Sequence, residues 1–157
     1  MNWSELSDAQ MLTTYADLME ELRSRGICRS SNNPVADYTE GLVAARLHLE
    51  LRGKSASGYD AVDKAGKRYQ IKGRRLTPHN QSTQLSALRN LKDGPFDFLV
   101  AVIYNPDFTV AYGGIVPHAV VLENADFREH VNAHIFIMRR SVLALPGVVD
   151  ISQQLGA

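Results

Sequence analysis

The stretch Phe96-Asp-Phe-Leu-Val-Ala-Val-Ile-Tyr104 places the strongest limit on the fold. Apart from Asp97, each of its residues is apolar or aromatic, and its valines and isoleucine favour extended backbone. A short run of this kind predicts a central β-strand that is buried on both faces. We therefore expect the chain to fold around a sheet, with the remaining elements covering that strand.

The remaining elements are predicted to alternate between helices and strands. A capping box from Ser7 to Gln10 opens a helix over residues 8–25, with a buried apolar stripe made of Met11, Leu12, Tyr15, Leu18, Met19 and Leu22. Asn33 and Pro34 open a second helix over about 34–48, with a stripe made of Val35, Tyr38, Leu42, Ala45 and Leu49. Strands are predicted over 49–52, 59–62, 68–73, 109–114 and 134–138, and helices near 82–91, 117–123 and 141–145. This order predicts an α/β domain with a mixed β-sheet core flanked by helices.

Composition limits the class of protein. The 157 residues fit a single domain. Cys28 is the one cysteine, which excludes an internal disulfide and suggests a buried small residue in a reducing compartment. The N-terminus has no basic or apolar leader, and no apolar stretch reaches the roughly 20 residues that span a bilayer. We expect a soluble, cytoplasmic protein with no membrane partner and no organic cofactor.

The charges are unevenly distributed along the chain. Residues 51–92 contain ten Lys or Arg and two Asp, a local net charge of 10 − 2 = +8, whereas the whole chain has a formal net charge of zero. Six of these bases lie between Lys64 and Arg75, with no acid among them. Such a concentration indicates a face that binds a polyanion. The alternative interpretation is a solvated, basic hairpin.

That basic segment also contains groups that could carry chemistry. Residues 58–75 predict a β-hairpin that turns near Gly66, with Asp60 on its first strand. Side chains alternate along a strand, so the second strand presents Arg68, Gln70, Lys72 and Arg74 on one face and Tyr69 and Ile71 on the other. An aspartate, an amide and a lysine are thereby brought together. Each could also have a structural role: Lys72 solvated, Gln70 in a cross-strand hydrogen bond, and Asp60 in a turn, paired with Arg74.

The order helix with Glu40, strand with Asp60, strand with Gln70-x-Lys72, helix, strand resembles the PD-(D/E)xK nuclease superfamily, which has the restriction-endonuclease-like fold. The resemblance covers about residues 34–104, with the helix at 8–25 and residues 105–157 as elaborations. Two positions depart from the family pattern. Tyr59 precedes Asp60 where proline is common, and Gln70 stands where the family has an acid.

The resemblance implies a metal-dependent centre. Asp60 would be the principal ligand of Mg²⁺, for which Mn²⁺ would substitute, and Gln70 and the backbone carbonyl of Ile71 would complete the protein ligands. Lys72 would orient or deprotonate the attacking water and stabilise the transition state. Glu40 would hold a second metal ion or a metal-bound water, or else lie at the edge of its helix. An amide ligand brings no negative charge, so Gln70 weakens the expected metal affinity.

Basic and polar residues around the centre suit nucleic acid. Phosphate contacts are expected from Lys67, Arg68, Arg74 and Arg75. Base contacts are an interpretation of the polar run that begins with His79, Asn80 and Gln81, which suits an exposed loop equally well. His130 and His134 lie four residues apart, but they lack the glutamate of a zinc-protease helix, so we interpret them as surface or strand residues.

The resulting expectation is a metal-dependent endonuclease that hydrolyses DNA, acting as a homodimer because a duplex has two strands to cut. Three alternatives stay open. Gln70 could have switched off catalysis and left a module that binds nucleic acid or a protein. The substrate could be RNA, or a branched or single-stranded nucleic acid. The basic hairpin could instead dock on the acidic surface of a partner protein.

Overall fold

The computed structural model describes residues 2–53 and 58–157. The chain divides into two compact units, Met1–Tyr38 and Thr39–Ala157, with the boundary inside the second helix. The first unit contains α1, and the second unit contains the sheet. In the described part of the chain, no helix is long and apolar enough to cross a membrane.

The helices and strands of the described residues are as follows. The α-helices are α1 (Asp8–Ser24), α2 (Val35–Leu47), α3 (His118–Asn124) and α4 (Ser152–Leu155). The strands are β1 (Glu50–Leu51), β2 (Ala61–Val62), β3 (Arg68–Arg75), β4 (Phe98–Tyr104), β5 (Val110–Pro117), β6 (Asp126–Arg128), β7 (Ala133–Ile135) and β8 (Val149–Asp150). Short 3₁₀ turns lie at Trp3–Glu5, Leu91–Asp93, Glu129–Val131 and Arg140–Ala144.

Among the described residues, the main sheet has six strands in the order β1-β2-β3-β4-β5-β8, and β6 pairs separately with β7. The β3–β4 pair is parallel and the other pairs are antiparallel. Every residue of β4 from Leu99 to Tyr104 is fully buried, so the predicted central strand is confirmed. The predicted α/β class is also confirmed, as a mixed sheet flanked by helices.

Glycines let helices approach one face of the sheet. Gly73 of β3 lies beneath α2, where a Cβ atom would overlap the Oγ1 of Thr39. Thr39 is fully buried, and its Oγ1 accepts a 3.0 Å hydrogen bond from the hydroxyl of Tyr104. On the same face, α4 lies over Gly113, whose Cβ would meet Leu155. The glycine in β3 therefore fixes where α2 lies on the sheet.

The opposite face carries the hydrophobic core of the second unit. Lys72, Ala101 and Gly114 form a row across β3, β4 and β5 on this face. Side chains from the segments that follow β3 and β7 cover the face, among them Leu85, Leu88, Phe136, Met138 and Val142. Lys72 thus lies at the edge of a packed core, one strand away from its centre.

The helix predicted near residues 82–91 is wrong. The segment is extended, and its backbone bonds to the stretch around β7: the Leu85 N–H donates to Phe136 O at 3.0 Å, and Leu88 and His134 exchange two bonds of 2.9 Å. A leucine at every third position is compatible with either conformation, so the partner strand decides it. A 3₁₀ turn, Leu91–Asp93, ends the segment.

The two predicted helical stripes are also corrected. The Ser7–Gln10 capping box is confirmed, but four stripe residues of α1 are exposed, at 39% for Met11, 69% for Leu12, and 55% for both Tyr15 and Leu18. In α2 the buried residues are Thr39 and Val43 rather than the predicted stripe, of which Ala45 is exposed. The close approach of Thr39 to Gly73 sets this face, and sequence hydrophobicity does not report it.

The other predicted elements hold with small shifts in their ends. The β2–β3 hairpin is confirmed, with Gly66 at φ +79° in its turn. The short helix, the strand near His134 and the turn near 141 correspond to α3, β7 and the 3₁₀ turn Arg140–Ala144.

Cys28 is buried, as predicted. His130 is exposed in a 3₁₀ turn and His134 is buried in β7, so the two do not share a helix face. The elements β6, β8 and α4 are not among the predicted ones.

Candidate functional site

Asp60 lies where β2 separates from β3. Its N–H donates to Tyr69 O at 2.8 Å, and its own carbonyl accepts from Arg52 N at 2.7 Å, so its backbone belongs to the sheet. Its side chain then reaches across to β3, where Oδ2 accepts the Ile71 N–H at 2.7 Å and the Gln70 Nε2 at 2.5 Å. The carboxylate is therefore held against β3 at one end of the hairpin.

The hydrogen bond from Ile71 also fixes the direction of its carbonyl. In a strand, the N–H and C=O of one residue point to the same side. Because the Ile71 N–H points to Asp60, the Ile71 carbonyl oxygen faces the same edge of the sheet. Three oxygen-bearing groups are thus close together: the Asp60 carboxylate, the Gln70 amide and the Ile71 carbonyl.

Gln70 forms the cross-strand hydrogen bond that its structural interpretation predicted. Its amide nitrogen faces Asp60, and a rotation of the amide group by half a turn would place its oxygen there instead. With the amide nitrogen towards Asp60, Gln70 donates a hydrogen bond that occupies one carboxylate oxygen. With the amide oxygen there instead, Gln70 and Asp60 could both bind the same cation.

Lys72 lies two residues beyond Gln70 on the same face of β3. It is partly buried, and its Nζ donates to Ser86 Oγ at 2.7 Å and to the Ala87 carbonyl at 3.4 Å. Burial lowers the pKa of Lys72, while the charges of Asp60 and Glu40 oppose this shift. A lysine of this kind can release its proton more readily than a solvated one, and it can still act as a cation.

Glu40 is brought to the site by the packing of α2. It directly follows Thr39, the residue that lies over Gly73, and Gly73 is the neighbour of Lys72 in β3. Glu40 is partly buried, and its charge acts on Lys72 together with that of Asp60. The helix therefore contributes a second carboxylate to the surroundings of the lysine.

The donor set fits a hard divalent cation. In residues 2–53 and 58–157, no group of three or more His, Cys, Asp or Glu side chains could hold a metal ion. A Mg²⁺ site does not require such a group, because it commonly has one or two carboxylates and completes its shell with water and phosphate oxygens. Asp60, Gln70 and the Ile71 carbonyl would supply the protein oxygens, and Glu40 would add charge from the helix side.

The predicted phosphate contacts lie on both sides of the centre. Lys67 and Arg75 are eight positions apart, roughly 25 Å at about 3.3 Å per residue. Arg74 donates to Ser82 O at 3.0 Å, and Arg75 donates to Pro106 O at 2.7 Å with its guanidinium 4.9 Å from the Phe108 ring centre. Each of these arginines retains further N–H donors, and Lys67 is exposed.

Arg68 has a different environment. Two of its nitrogens donate to the Asp97 carboxylate, each at 3.2 Å, and its backbone N–H donates to the same group at 2.8 Å. These bonds lower the pKa of Asp97 and raise that of Arg68. Arg68 therefore ties β3 to the start of β4, a role that competes with a phosphate contact.

His79, Asn80 and Gln81 form an exposed turn just beyond β3. Thr77 and Asn80 bridge the turn through two backbone bonds of 3.0 and 3.1 Å, and the Gln81 amide donates to Thr77 O. The turn is thus ordered by its own bonds, and it lies next to Arg74, whose acceptor is Ser82 O.

Two contributors to the site were missed in the sequence. Ser86 holds the Lys72 ammonium group, but it falls in a segment that was predicted to be helical. Gly73 lets α2, which carries Glu40, lie close to β3. A glycine inside a strand, here between Lys72 and Arg74, indicates that another backbone segment approaches the strand at that point.

The chain matches no protein-family model, and a search of curated proteins finds no similar sequence. Function is therefore inferred from geometry.

Proposed function

We propose that this protein is a Mg²⁺-dependent endonuclease of the restriction-endonuclease-like fold that hydrolyses DNA. The observation that carries the proposal is the pair of hydrogen bonds that the Asp60 carboxylate accepts from Gln70 and Ile71. These two donors directly precede Lys72 in the same strand. The pattern gathers oxygen ligands for a cation, and it places a lysine of lowered pKa beside them.

Each residue has a role that follows from its chemistry. When bound, Mg²⁺ would neutralise charge on the phosphate and lower the pKa of a water molecule. Asp60 and Gln70 would hold the cation, with Ile71 O as a backbone ligand. Lys72 orients the attacking water, takes its proton when neutral, and stabilises charge on the phosphate when protonated. Glu40 keeps the surroundings of Lys72 negative and attracts a second cation.

Basic residues on both sides of the centre favour a nucleic acid as the substrate, and DNA is the one we propose. Lys67 precedes it on the hairpin turn, while Arg74 and Arg75 follow it at the end of β3. Contacts of this kind bind a phosphate backbone without reading its sequence. The exposed turn that holds His79, Asn80 and Gln81 continues this surface beyond Arg74 and would contact base edges.

We also propose a homodimer, because a duplex has two strands to cut and each protomer would supply one centre. The exposed apolar residues of α1 support self-association, because a soluble monomer rarely leaves a large apolar stripe uncovered. In the first unit, Leu12, Tyr15 and Leu18 lie along one side of this helix.

A second candidate is a binding module that has lost catalysis. The observation that favours it is the Gln70–Asp60 hydrogen bond, because an amide donor already occupies the carboxylate oxygen that would bind a cation. Such a module would bind DNA with the same basic residues, and it would neither cut DNA nor bind Mg²⁺.

The test is cleavage of supercoiled plasmid DNA in Mg²⁺ or Mn²⁺ by the purified protein and by D60A, K72A and K64A. Lys64 is an exposed lysine in the turn of the same hairpin, so its variant is a matched control. We expect metal-dependent cutting that falls by about 10²-fold or more in D60A and K72A, whereas K64A, which only removes one base from the same hairpin, should change it far less. No cutting by wild type, with intact DNA binding, would favour the binding module.

A further inference from the structure

A small recess lies at the far end of the segment that holds Lys72. The recess has a volume of about 230 Å³. Its floor is formed by Leu91, Ala133 and His134, which are all buried. Small-molecule sites usually measure roughly 300–1,000 Å³, so this recess suits one part of a larger ligand.

An exposed aromatic ring stands at the mouth of the recess. Phe127 on β6 is 50% exposed and lies directly opposite His134 on β7. The two rings meet edge to face, with centres 5.1 Å apart. The Phe127 ring is thereby held in place against His134 while much of its side chain remains open to solvent. A fixed, exposed aromatic ring is a platform on which a flat ring can stack.

The rest of the rim is polar and basic. It is made by Asn90, Asn132 and Lys92, all exposed. Both asparagines line the recess and have left-handed backbone, with φ of 53° and 47°, so the chain turns at the rim in both places. An amide can donate to and accept from the edge of a nucleobase, and an ammonium group can meet a phosphate.

The recess and the candidate centre share one stretch of chain. Ser86, which accepts from Lys72, precedes Asn90 by four residues, a reach of at most about 14 Å. At a rise of about 3.4 Å per nucleotide, that distance spans on the order of four nucleotides of one strand. A strand bound at Lys72 can therefore extend to the recess.

We propose that this recess holds one unpaired nucleobase of the DNA strand bound at Lys72, stacked on Phe127, with its edge read by Asn90 and Asn132. The inference rests on the proposed function and makes it more specific. A base inside a duplex is stacked on both sides and cannot enter such a recess without leaving the helix. The preferred substrate is therefore DNA with a single-stranded or locally unpaired segment beside the cleaved bond.

The one acidic residue of β6, Asp126, does not oppose this assignment. Asp126 and Arg128 flank Phe127 and point to the other side of the strand. They form an ion pair with each other at 4.0 Å. The recess itself therefore presents Lys92 as its charged group.

The test uses oligonucleotides that carry a fluorescent adenine analogue at successive positions, bound to the full-length protein in a chelator so that metal-dependent cleavage does not occur. Stacking on Phe127 should quench the analogue at one position on a single strand and leave the matched duplex unaffected. We expect F127A to abolish the quenching and to weaken single-strand binding about tenfold, since stacking contributes roughly 1–3 kcal/mol per base. F127W should retain both.

The asparagines allow a separate control. Glycine accepts positive φ, so N90G and N132G keep the turns and remove the amides. We expect these variants to keep the quenching and to lose discrimination among the four bases. Equal binding of single strands by wild type and F127A, or no position-specific quenching, would overturn the inference. Plasmid cutting by wild type in that case would leave the proposed nuclease intact, whereas quenching without any cutting would retain the recess and reject the nuclease.

Discussion

The N–H of Ile71 donates a 2.7 Å hydrogen bond to the Asp60 carboxylate, in place of the backbone carbonyl that the next step of an antiparallel ladder would provide. The side chain of Asp60 thus ends the β2–β3 pairing. It does so at the point where Gln70 and Lys72 project from β3. The same bond that ends the ladder therefore orients the principal candidate ligand.

Replacing Gln70 by Glu should strengthen metal binding and reduce stability without metal. The new carboxylate would face Asp60 at hydrogen-bond distance, so the two negative charges would repel each other until a cation lies between them. We expect Q70E to unfold at a lower temperature than wild type in a chelator, and to gain more stability from Mn²⁺. Thermal unfolding with and without Mn²⁺ measures this.

The exposed loop residue Gln81 provides the control, because Q81E adds the same charge away from Asp60. An equal response of Q70E and Q81E to Mn²⁺ would contradict a cation site at Asp60.

Lys72 should determine a pH dependence of cleavage. Its pKa is lowered by burial below the 10.5 of a free lysine, so the neutral form becomes available at lower pH than usual. We expect the cleavage rate to rise with pH and to level off below pH 10.5, and K72R, which stays protonated, to lose about 10²-fold or more. The rate measured across pH, with metal concentration held constant, tests this.

The same pKa shift has a consequence for folding stability, and its sign is opposite to that of a paired lysine. Because the folded state binds the Lys72 proton less tightly than the unfolded state, stability should increase as pH rises through the folded pKa towards 10.5. We expect K72M to be more stable than wild type at pH 7 and to lose this advantage as pH approaches 10. Chemical unfolding at the two pH values checks it, and a constant difference would reject a lowered pKa.

Gly73→Ala should destabilise the second unit through Thr39. The added Cβ would overlap Thr39 Oγ1, which is fully buried, so we expect a loss of about 1–3 kcal/mol in unfolding free energy. Thr39→Ala alone removes the bond to Tyr104, and in the double variant the overlap with Oγ1 is gone and only the Cβ of residue 39 remains close, at 3.0 Å. A double-mutant cycle by urea unfolding should therefore give less destabilisation than the sum of the two single changes. Additive effects would mean that α2 does not lie against Gly73.

The arginines of β3 should separate into two classes. Arg75 has further donors for phosphate, whereas Arg68 is paired with Asp97. We expect R75A to reduce the slope of log affinity against log salt by about 0.9 for duplex DNA. R68A should leave that slope nearly unchanged and lower the unfolding temperature instead. Fluorescence anisotropy over a salt series, together with thermal unfolding, distinguishes them. A slope change of equal size in both variants would restore Arg68 as a phosphate contact.

Self-association should depend on the exposed side of α1. A lysine at Leu12, which is 69% exposed, would place charge in the proposed interface. We expect L12K to shift the protein towards monomer in sedimentation velocity, while T13K, on the opposite side of the helix, leaves the association unchanged. A wild-type protein that is monomeric at all concentrations would reject the homodimer.

The parts of the site that could be predicted are local in the sequence. Asp60, Gln70 and Lys72 fall on one hairpin, whose turn at Gly66 and alternating side chains specify the pairing. Strand periodicity alone then predicts which of them are neighbours. The fully buried β4 was predictable for a similar reason, because a strand covered on both faces is apolar throughout.

The parts that could not be predicted depend on contacts between distant segments. Leu85 and Leu88 have the spacing of a helix, but partners near residue 135 hold the segment extended. Arg68 was assigned to phosphate because its partner, Asp97, lies 29 residues away in the sequence. The buried face of α2 is set by a threonine over a glycine, and neither residue contributes to a hydrophobic pattern.

The difference in sequence separation has a consequence for the order of assembly. Ala61 and Tyr69 pair across a turn of a few residues, whereas Tyr69 and Phe98 pair in parallel across 29 positions. Closing the short loop costs less entropy than closing the long one, so the hairpin should form early on the folding pathway. The three oxygen ligands would then be in place before β4 arrives. Lys72 is shielded from water last, when the segment that contains Ser86 packs over it. A partly folded chain would therefore be able to bind a cation before its lysine is in place for cleavage.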